Sequence, residues 1–394
     1  MAPLRTLREI RIAAFTQFLL GPAAVQYLAD LGADVIKVEA PGTGAWERHW
    51  SGADSFPGGV SAFFMLANRN LRSIVLDLKS EAGREAALRL IATADVVVEN
   101  FRPGVLERLG VGYEAARAVR PDVIYASGSG YGTSSPFRDL PGQDLLVQAV
   151  SGLGWLTGRR DQDPVSAGAA VVDQHGAALL AMGILAALWH RERTGEGQRI
   201  EVAMLQAALD LATEPVVYRL NGATIERPTE PIADTFHAAP YGFYRTRDGH
   251  VAISMTPVAG LRAALGGAPQ LAGLEDPAMS FVKRDRIRAV VGDLVASRST
   301  GELLALLRSH GVWCAAVNSL DDALADPALR HLEPVLEIDH PSAGRVKLLK
   351  HPVRYGAGEP ELRYVPPGVG EHTAEVLAEL GYTAAQMKAV LGGQ

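Results

Sequence analysis

"RIAAFTQFLLGPAAVQYLADLGADVIKVE" (residues 11–39) reads as strand, helix, strand, and it decides the fold. "RIAAF" is a short apolar strand. "GPAAVQYLADLG" is a helix with Pro22 in its first turn, where a missing N–H is no loss, and with Gly32 closing it. "ADVIKVE" is a buried strand. The rhythm continues outward with the strand "RSIVLDL" (72–78) and the helix "SEAGREAALRLIATA" (80–94), capped by Ser80, with Leu88 and Ile91 at helical spacing. "DVVVENF" (95–101) and "PDVIYASGSG" (121–130) are strands again. Such alternation predicts a mostly parallel sheet with helices on both faces, and ligands at the carboxyl ends of its strands.

The chain has 394 residues, which favours two domains or one large discontinuous one. Hydrophobic residues at 48% and charged residues at 21% are ordinary globular values and argue against disorder. The net charge is −6, with no basic block to attract nucleic acid. A single cysteine, Cys314, excludes an intrachain disulfide, disfavours a thiolate zinc site and fits the cytoplasm. Glu9, Thr16 and Gln17 break up the one N-terminal segment that resembles a signal peptide. The longest apolar run, Ala177–Trp189, falls short of the ~18–20 residues that span a bilayer, so no membrane partner is expected.

Composition shifts at "NGATIERPTEPIADTFHAAP", rich in proline and polar residues. The expected division is a large domain over residues 1–222, a linker over 223–240, a small α+β domain over 241–330, and a return segment over 331–394. The small domain opens on "YGFYRTRDGHVAIS", a hairpin turning at Asp248-Gly249. Thr383 and Gln386 form a capping box near the C-terminus.

Most isolated signals are weak. "GSGYG" (128–132) lacks an immediately following helix and reads as a turn. His175 lies two residues from Asp173, so on a helix the two side chains point apart. His237, His340, His351 and His372 are scattered without metal-ligand spacing. Asp173 is the residue out of place, in "AGAAVVDQHGAALLAMGILAALW" with no cation nearby. A carboxylate there is costly unless paired, neutralised or used. It suits a helix N-cap or first turn, and equally a desolvated nucleophile or base. Spacing alone leaves both open.

Six blocks in order carry a resemblance: "GPAAVQYLADLGADVIKVEAPGTG", "NRNLRSIVLDLKS", "ADVVVENFRPGVLERLG", "PDVIYASGSGYG", "VVDQHGAALLAMGILAALWHRERTGEGQRIEVAM" and "PPGVGEHTAEVLAELGY". From residue 10 to 390 the chain resembles the family III CoA-transferases, the CaiB/BaiF-like group that includes formyl-CoA and carnitine CoA-transferase. The resemblance implies a Rossmann-like large domain built from both chain ends, a smaller α+β middle domain, and two chains interlocked as a homodimer. It matches Asp173 to the family's nucleophilic aspartate. It places Leu76, Lys79, Asn100, Phe101 and Arg108 along coenzyme A, with Arg72 assisting. CoA and acyl-CoA are substrates, and no permanently bound cofactor or metal is implied.

The chain also departs from the family. Leu19 stands where formyl-CoA transferase has glutamine before the Gly-Pro turn, Ala40 replaces an expected cation, and no tetraglycine loop occurs. Oxalate/formate exchange is therefore not expected. His237, Tyr241 and Arg245 are the candidates for an acceptor's second carboxylate, which suits succinate, mesaconate or citramalate. The rival activity is 2-methylacyl-CoA racemisation, which needs a base on each face of the α-carbon. Related racemases carry a histidine where Gln143 stands, and glutamine does not titrate. A non-catalytic CoA-binding dimer is the remaining alternative, and the retained Asp173 argues against it.

Overall fold

The computed structural model describes residues 3–230 and 232–391. These divide into two compact units. One takes residues 1–147, 169–211 and 333–394, and the other takes 148–168 and 212–332. The stretch read as a linker therefore belongs to the second unit, as does a short excursion after residue 147.

The first unit is built on six parallel strands: Arg11–Phe15 (β1), Asp34–Glu39 (β2), Leu71–Val75 (β3), Val96–Glu99 (β4), Ile124–Ser129 (β5) and Arg199–Ala203 (β6). They lie in the order β3-β2-β1-β4-β5-β6, the doubly wound arrangement. All four residues of β4 are buried, as parallel strands covered on both faces must be. The order reverses between β1 and β4, and the loops that leave those strands diverge.

Leu20–Asp30 (α1) follows β1, and Glu81–Thr93 (α2) follows β3 under the Ser80 cap expected from sequence. The core on one side joins Phe15, Ile36, Ile74, Leu90, Ile91 and Val97 to Val376 and Leu377 from near the C-terminus. Both chain ends therefore build this unit. At about 25 cal/mol per Å² of apolar surface removed from water, each such side chain contributes roughly 1.5–3 kcal/mol.

Asp144–Ser151 (α3) precedes the longest helix, Val171–Thr194 (α4), and β6 leads into Met204–Leu211 (α5). With 24 residues, α4 begins six positions before the apolar run visible in sequence. It is long and apolar enough, by length and composition, to cross a membrane. In this fold, however, Val172, Gly176, Leu180, Ile184 and Ala187 are buried where it packs on α1, α5 and the sheet.

The second unit holds a three-stranded antiparallel sheet of Gly242–Arg245 (β7), His250–Ile253 (β8) and Cys314–Ala316 (β9), with β8 in the centre. The hairpin turns at Asp248-Gly249 as expected. Helices Arg284–Val295 and Thr300–Ser309 supply Ile287, Val291, Leu303 and Leu307 to its own core.

Candidate active site

At the carboxyl edge of the sheet, β1 ends at Phe15 and β4 at Glu99, the adjacent strands where the winding reverses. A cavity of about 600 Å³ opens there, lined by Gln17–Leu20, Asn100–Pro103, Gly128–Gly130, Arg138, Leu140–Leu145, Ala170, Asp173 and Met204, with Trp46, Trp50 and Phe63. Every lining residue belongs to the first unit.

Two helix starts meet at Asp173. The residue sits in the first turn of α4, whose N-cap Ala170 offers no side-chain acceptor. Asp144, from the first turn of α3, does that work instead: one carboxylate oxygen accepts the N–H groups of Val172 and Asp173 at 2.8 and 2.9 Å. From the other side, the backbone of Leu20, first residue of α1, lies near enough to the Asp173 carboxyl to favour its ionised form. Burial pushes the Asp173 carboxyl up to about 7, the Asp144 charge adds to the rise, and the Leu20 backbone opposes it. The helix-start and nucleophile readings of Asp173 are compatible in this geometry.

Local packing fixes that stretch of backbone. The Asn100 side chain clamps Gln17 at two points: its Oδ1 accepts the Gln17 N–H and its Nδ2 donates to the Gln17 carbonyl, both at 2.8 Å. Leu20 is 2% exposed. A Cβ on Gly128 or Gly176 would fall 2.5 or 2.8 Å from its methyl groups, so glycine at both positions makes its seat. The "GSGYG" turn does more than turn. Gly128–Gly130 lines the cavity, and a Cβ on Gly130 would reach 2.5 Å from the Gly142 Cα.

The walls are of two kinds. Phe18, Trp46, Trp50 and Phe63 form an aromatic chain, with successive ring centroids at 4.8, 5.7 and 4.8 Å. Arg102 and Arg138 supply positive charge, and the nearest carboxylate to Arg138 is Asp139 at 3.9 Å. Under the Asn100 loop, burial pushes Glu99 up to about 7, and its Oε2 accepts the Phe101 N–H at 3.0 Å.

Of the residues singled out in sequence, the cavity gathers Asp173, Asn100 and Phe101. Lys79 and Arg108 are exposed on the same unit, outside its lining. Leu76, 2% exposed, is a core residue. Arg72 requires correction. Its guanidinium is 5% exposed and bonded to Asp34, Glu375 and Glu379, so it is committed to an ion-pair network and closed to a phosphate. His237, Tyr241 and Arg245 belong to the second unit. There His237 Nδ1 lies 2.7 Å from Asp234 and its ring stacks on Tyr241 at 4.5 Å. Tyr241 also borders a cavity of about 330 Å³ with Trp313 and Cys314, and Arg245 is exposed on β7. His175 Nε2 lies 2.7 Å from Asp210 Oδ2.

Asp144, Arg102, Arg138 and the aromatic wall were missed. Asp144 had a signal, an acid opening the apolar run "LLVQAV". Arg102 sits inside the "NFRPG" block. Nothing local marked Trp46, Trp50 or Arg138. Among the described residues, no group of three or more His, Cys, Asp or Glu could hold a metal.

Comparison with known proteins agrees with the architecture. The family model described as CoA-transferase family III matches residues 7–373. Succinyl-CoA:mesaconate CoA-transferase of Haloarcula hispanica is 35% identical, over 95% of this chain and 96% of that protein. Succinyl-CoA–D-citramalate CoA-transferase of Chloroflexus aurantiacus is 31% identical, over 96% and 94%. The crystal structure of a CaiB/BaiF family protein from Brucella suis superposes with a TM-score of 0.80 at 32% identity, covering 95% of this chain and 99% of that one. The parallel sheet, the cavity at its switch point and the near full-length likeness have one conclusion: the chain belongs to CoA-transferase family III.

Proposed function

We propose that this enzyme moves coenzyme A from an acyl-CoA thioester to a free dicarboxylic acid, through covalent intermediates on Asp173. The observation that carries the reading is the Asp173 carboxyl: half-buried in the cavity lining at the first turn of α4, with burial and the Asp144 charge raising it towards 7. Its ionised form attacks the thioester carbonyl, forms a mixed anhydride and releases the CoA thiolate. The thiolate attacks the aspartyl carbonyl, leaving an aspartyl-CoA thioester and the donor's free carboxylate. The acceptor carboxylate then attacks that thioester, expelling CoA thiolate and forming a second mixed anhydride with Asp173. The thiolate attacks the acceptor's carbonyl in it, giving the new acyl-CoA and freeing the Asp173 carboxylate. Each intermediate is an activated acyl group, so no step needs a large drop in free energy, and a walled cavity keeps water from it.

Asn100 and Phe101 lie along the CoA chain, and the exposed cations Lys79 and Arg108 meet its phosphates. The relatives named for mesaconate and citramalate support a short dicarboxylate acceptor, and the guanidinium groups of Arg102 and Arg138 support recognition of its second charge. His237, Tyr241 and Arg245, on the second unit, remain the further candidates for that charge. The enzyme works as an interlocked homodimer in the cytoplasm. Gln143 lines the cavity and cannot serve as the second base of a racemase.

The test is one mass-spectrometric assay in D2O, with panels of acyl-CoAs, 2-methylacyl-CoA included, and free acids. A new CoA thioester, lost in Asp173→Ala, is the expected result. Deuterium at an α-carbon without a new thioester would overturn it in favour of racemisation.

A further inference from the structure

The turn that leads into α1, where Leu20 and Asp173 line one cavity, is strained at Phe18. Its φ of 59° lies in the left-handed region, which a bulky L-residue occupies only when its surroundings hold it there. Asn100 holds Gln17. Glu47 holds Phe18 itself: the Phe18 N–H donates to Glu47 Oε2 at 3.1 Å. The other oxygen, Oε1, accepts from Lys37 Nζ at 2.7 Å, and Lys37, on β2, also donates to Asn68 Oδ1 at 3.0 Å. Both charged side chains are 0% exposed. A buried ion pair is a poor device for stability, because desolvation offsets the Coulomb attraction. This one needs another reason to exist.

We propose that Glu47 is a positioning residue for the chemistry at Asp173. Its two oxygens work back to back, one anchored on Lys37 and one holding the Phe18 N–H, so that the first residue of α1 stays beside the reacting carboxylate. The proposal rests on the CoA-transfer reading of Asp173. It explains why a carboxylate is required. Glutamine has one acceptor oxygen, so its amide N–H would face a donor, either Lys37 or the Phe18 N–H. It also explains the close packing around Leu20: with its side chain seated between Gly128 and Gly176, the start of α1 follows the turn.

The test compares native enzyme, Glu47→Gln and the pair Lys37→Met/Glu47→Gln. The single variant loses roughly 10- to 100-fold in kcat, the cost of a misplaced group, with the KM for acyl-CoA little changed. Its Asp173 titration, read by 13C NMR of the carboxyl in the ligand-free protein, moves up from that of native enzyme, because an N–H donor favours the ionised form. Asp144, the other acid at Asp173, is untouched. In the pair the competing ammonium is gone and the glutamine oxygen turns to the Phe18 N–H, so kcat returns to within about threefold of native. An equal loss in the folded pair, or a Glu47→Gln enzyme with unchanged kcat and Asp173 titration, would overturn the proposal. If the single variant does not fold, the pair is judged directly against native by the same two readouts. A native enzyme that transfers no CoA sinks the transfer reading, and the NMR titration still decides the role of Glu47.

Discussion

Asp173 stores a cost that the proposed chemistry explains. Its carboxyl is raised to about 7 by burial and by Asp144, against an ordinary value of 3.8. The folded state therefore binds this proton more tightly than the unfolded chain does. Stability from this group is fully present below about pH 3.8 and is lost as pH rises through about 7. Asp173→Asn removes the charge, so the variant should melt higher than native at pH 8 and equally at pH 4. Discounted for partial exposure, the gain is about 1–2 kcal/mol. A melting difference independent of pH would show that Asp173 carries no such penalty. Arg138 is the other informative residue. Arg138→Ala should raise the KM for a dicarboxylic acceptor about tenfold, the scale of one charge-assisted hydrogen bond, and leave that for a monocarboxylic acid unchanged. Initial rates with matched acids check it. Asp173 was legible from sequence because a lone charge in an apolar run breaks pattern. Arg138 was not, because an arginine in a polar loop breaks none.

Among the elements, the meeting of α1, α3 and α4 tunes the site. Asp144 both caps α4 and repels the Asp173 charge, and substitution separates these roles. Asp144→Asn keeps an acceptor for the N–H groups of Val172 and Asp173 and removes the repulsion. The acid limb of kcat/KM should then move below pH 7, and a limb that stays in place would show that burial alone sets it. The seat of Leu20 is equally specific. Gly128→Ala puts a methyl 2.5 Å from Leu20, which should cost about 1–3 kcal/mol by overpacking and lower kcat as the α1 start shifts. Thermal melts and rates on one preparation check both effects. The strands, α1, α2 and the Asp248-Gly249 hairpin were readable because periodicity, caps and turn residues are local. The start of α4 was marked by Asp173 in its first turn, but the acceptor that caps it, Asp144, lies 29 residues away and was not. The fate of Arg72 was hidden for the same reason, since Glu375 and Glu379 come from the far end of the chain.

On the scale of the molecule, a doubly wound sheet followed from the alternation of elements, and pairing between the chain ends needed the resemblance as well. Proline and polar residues mark irregular structure over 223–240 without saying which unit it packs on. Helix α4 also poses a question that one chain leaves open. It is apolar on both faces: Val172, Gly176, Leu180 and Ile184 are buried, yet Met182, Leu185 and Trp189 stand 61%, 39% and 64% exposed at i, i+3 and i+7. A helix apolar all round is buried all round in the working molecule. A second copy of this chain is the occupant that the proposed homodimer supplies. Trp189→Glu with Met182→Glu places charge in that contact and should convert a dimer into monomer or aggregate, as read by sedimentation velocity at micromolar concentration. The interlocked form makes a stricter demand. Chains threaded through each other cannot part without unfolding, so native dimers of tagged and untagged protein, mixed for days, should yield no mixed species until denatured and refolded together. Mixed dimers forming within hours under native conditions would leave the α4 contact standing and rule out the interlock.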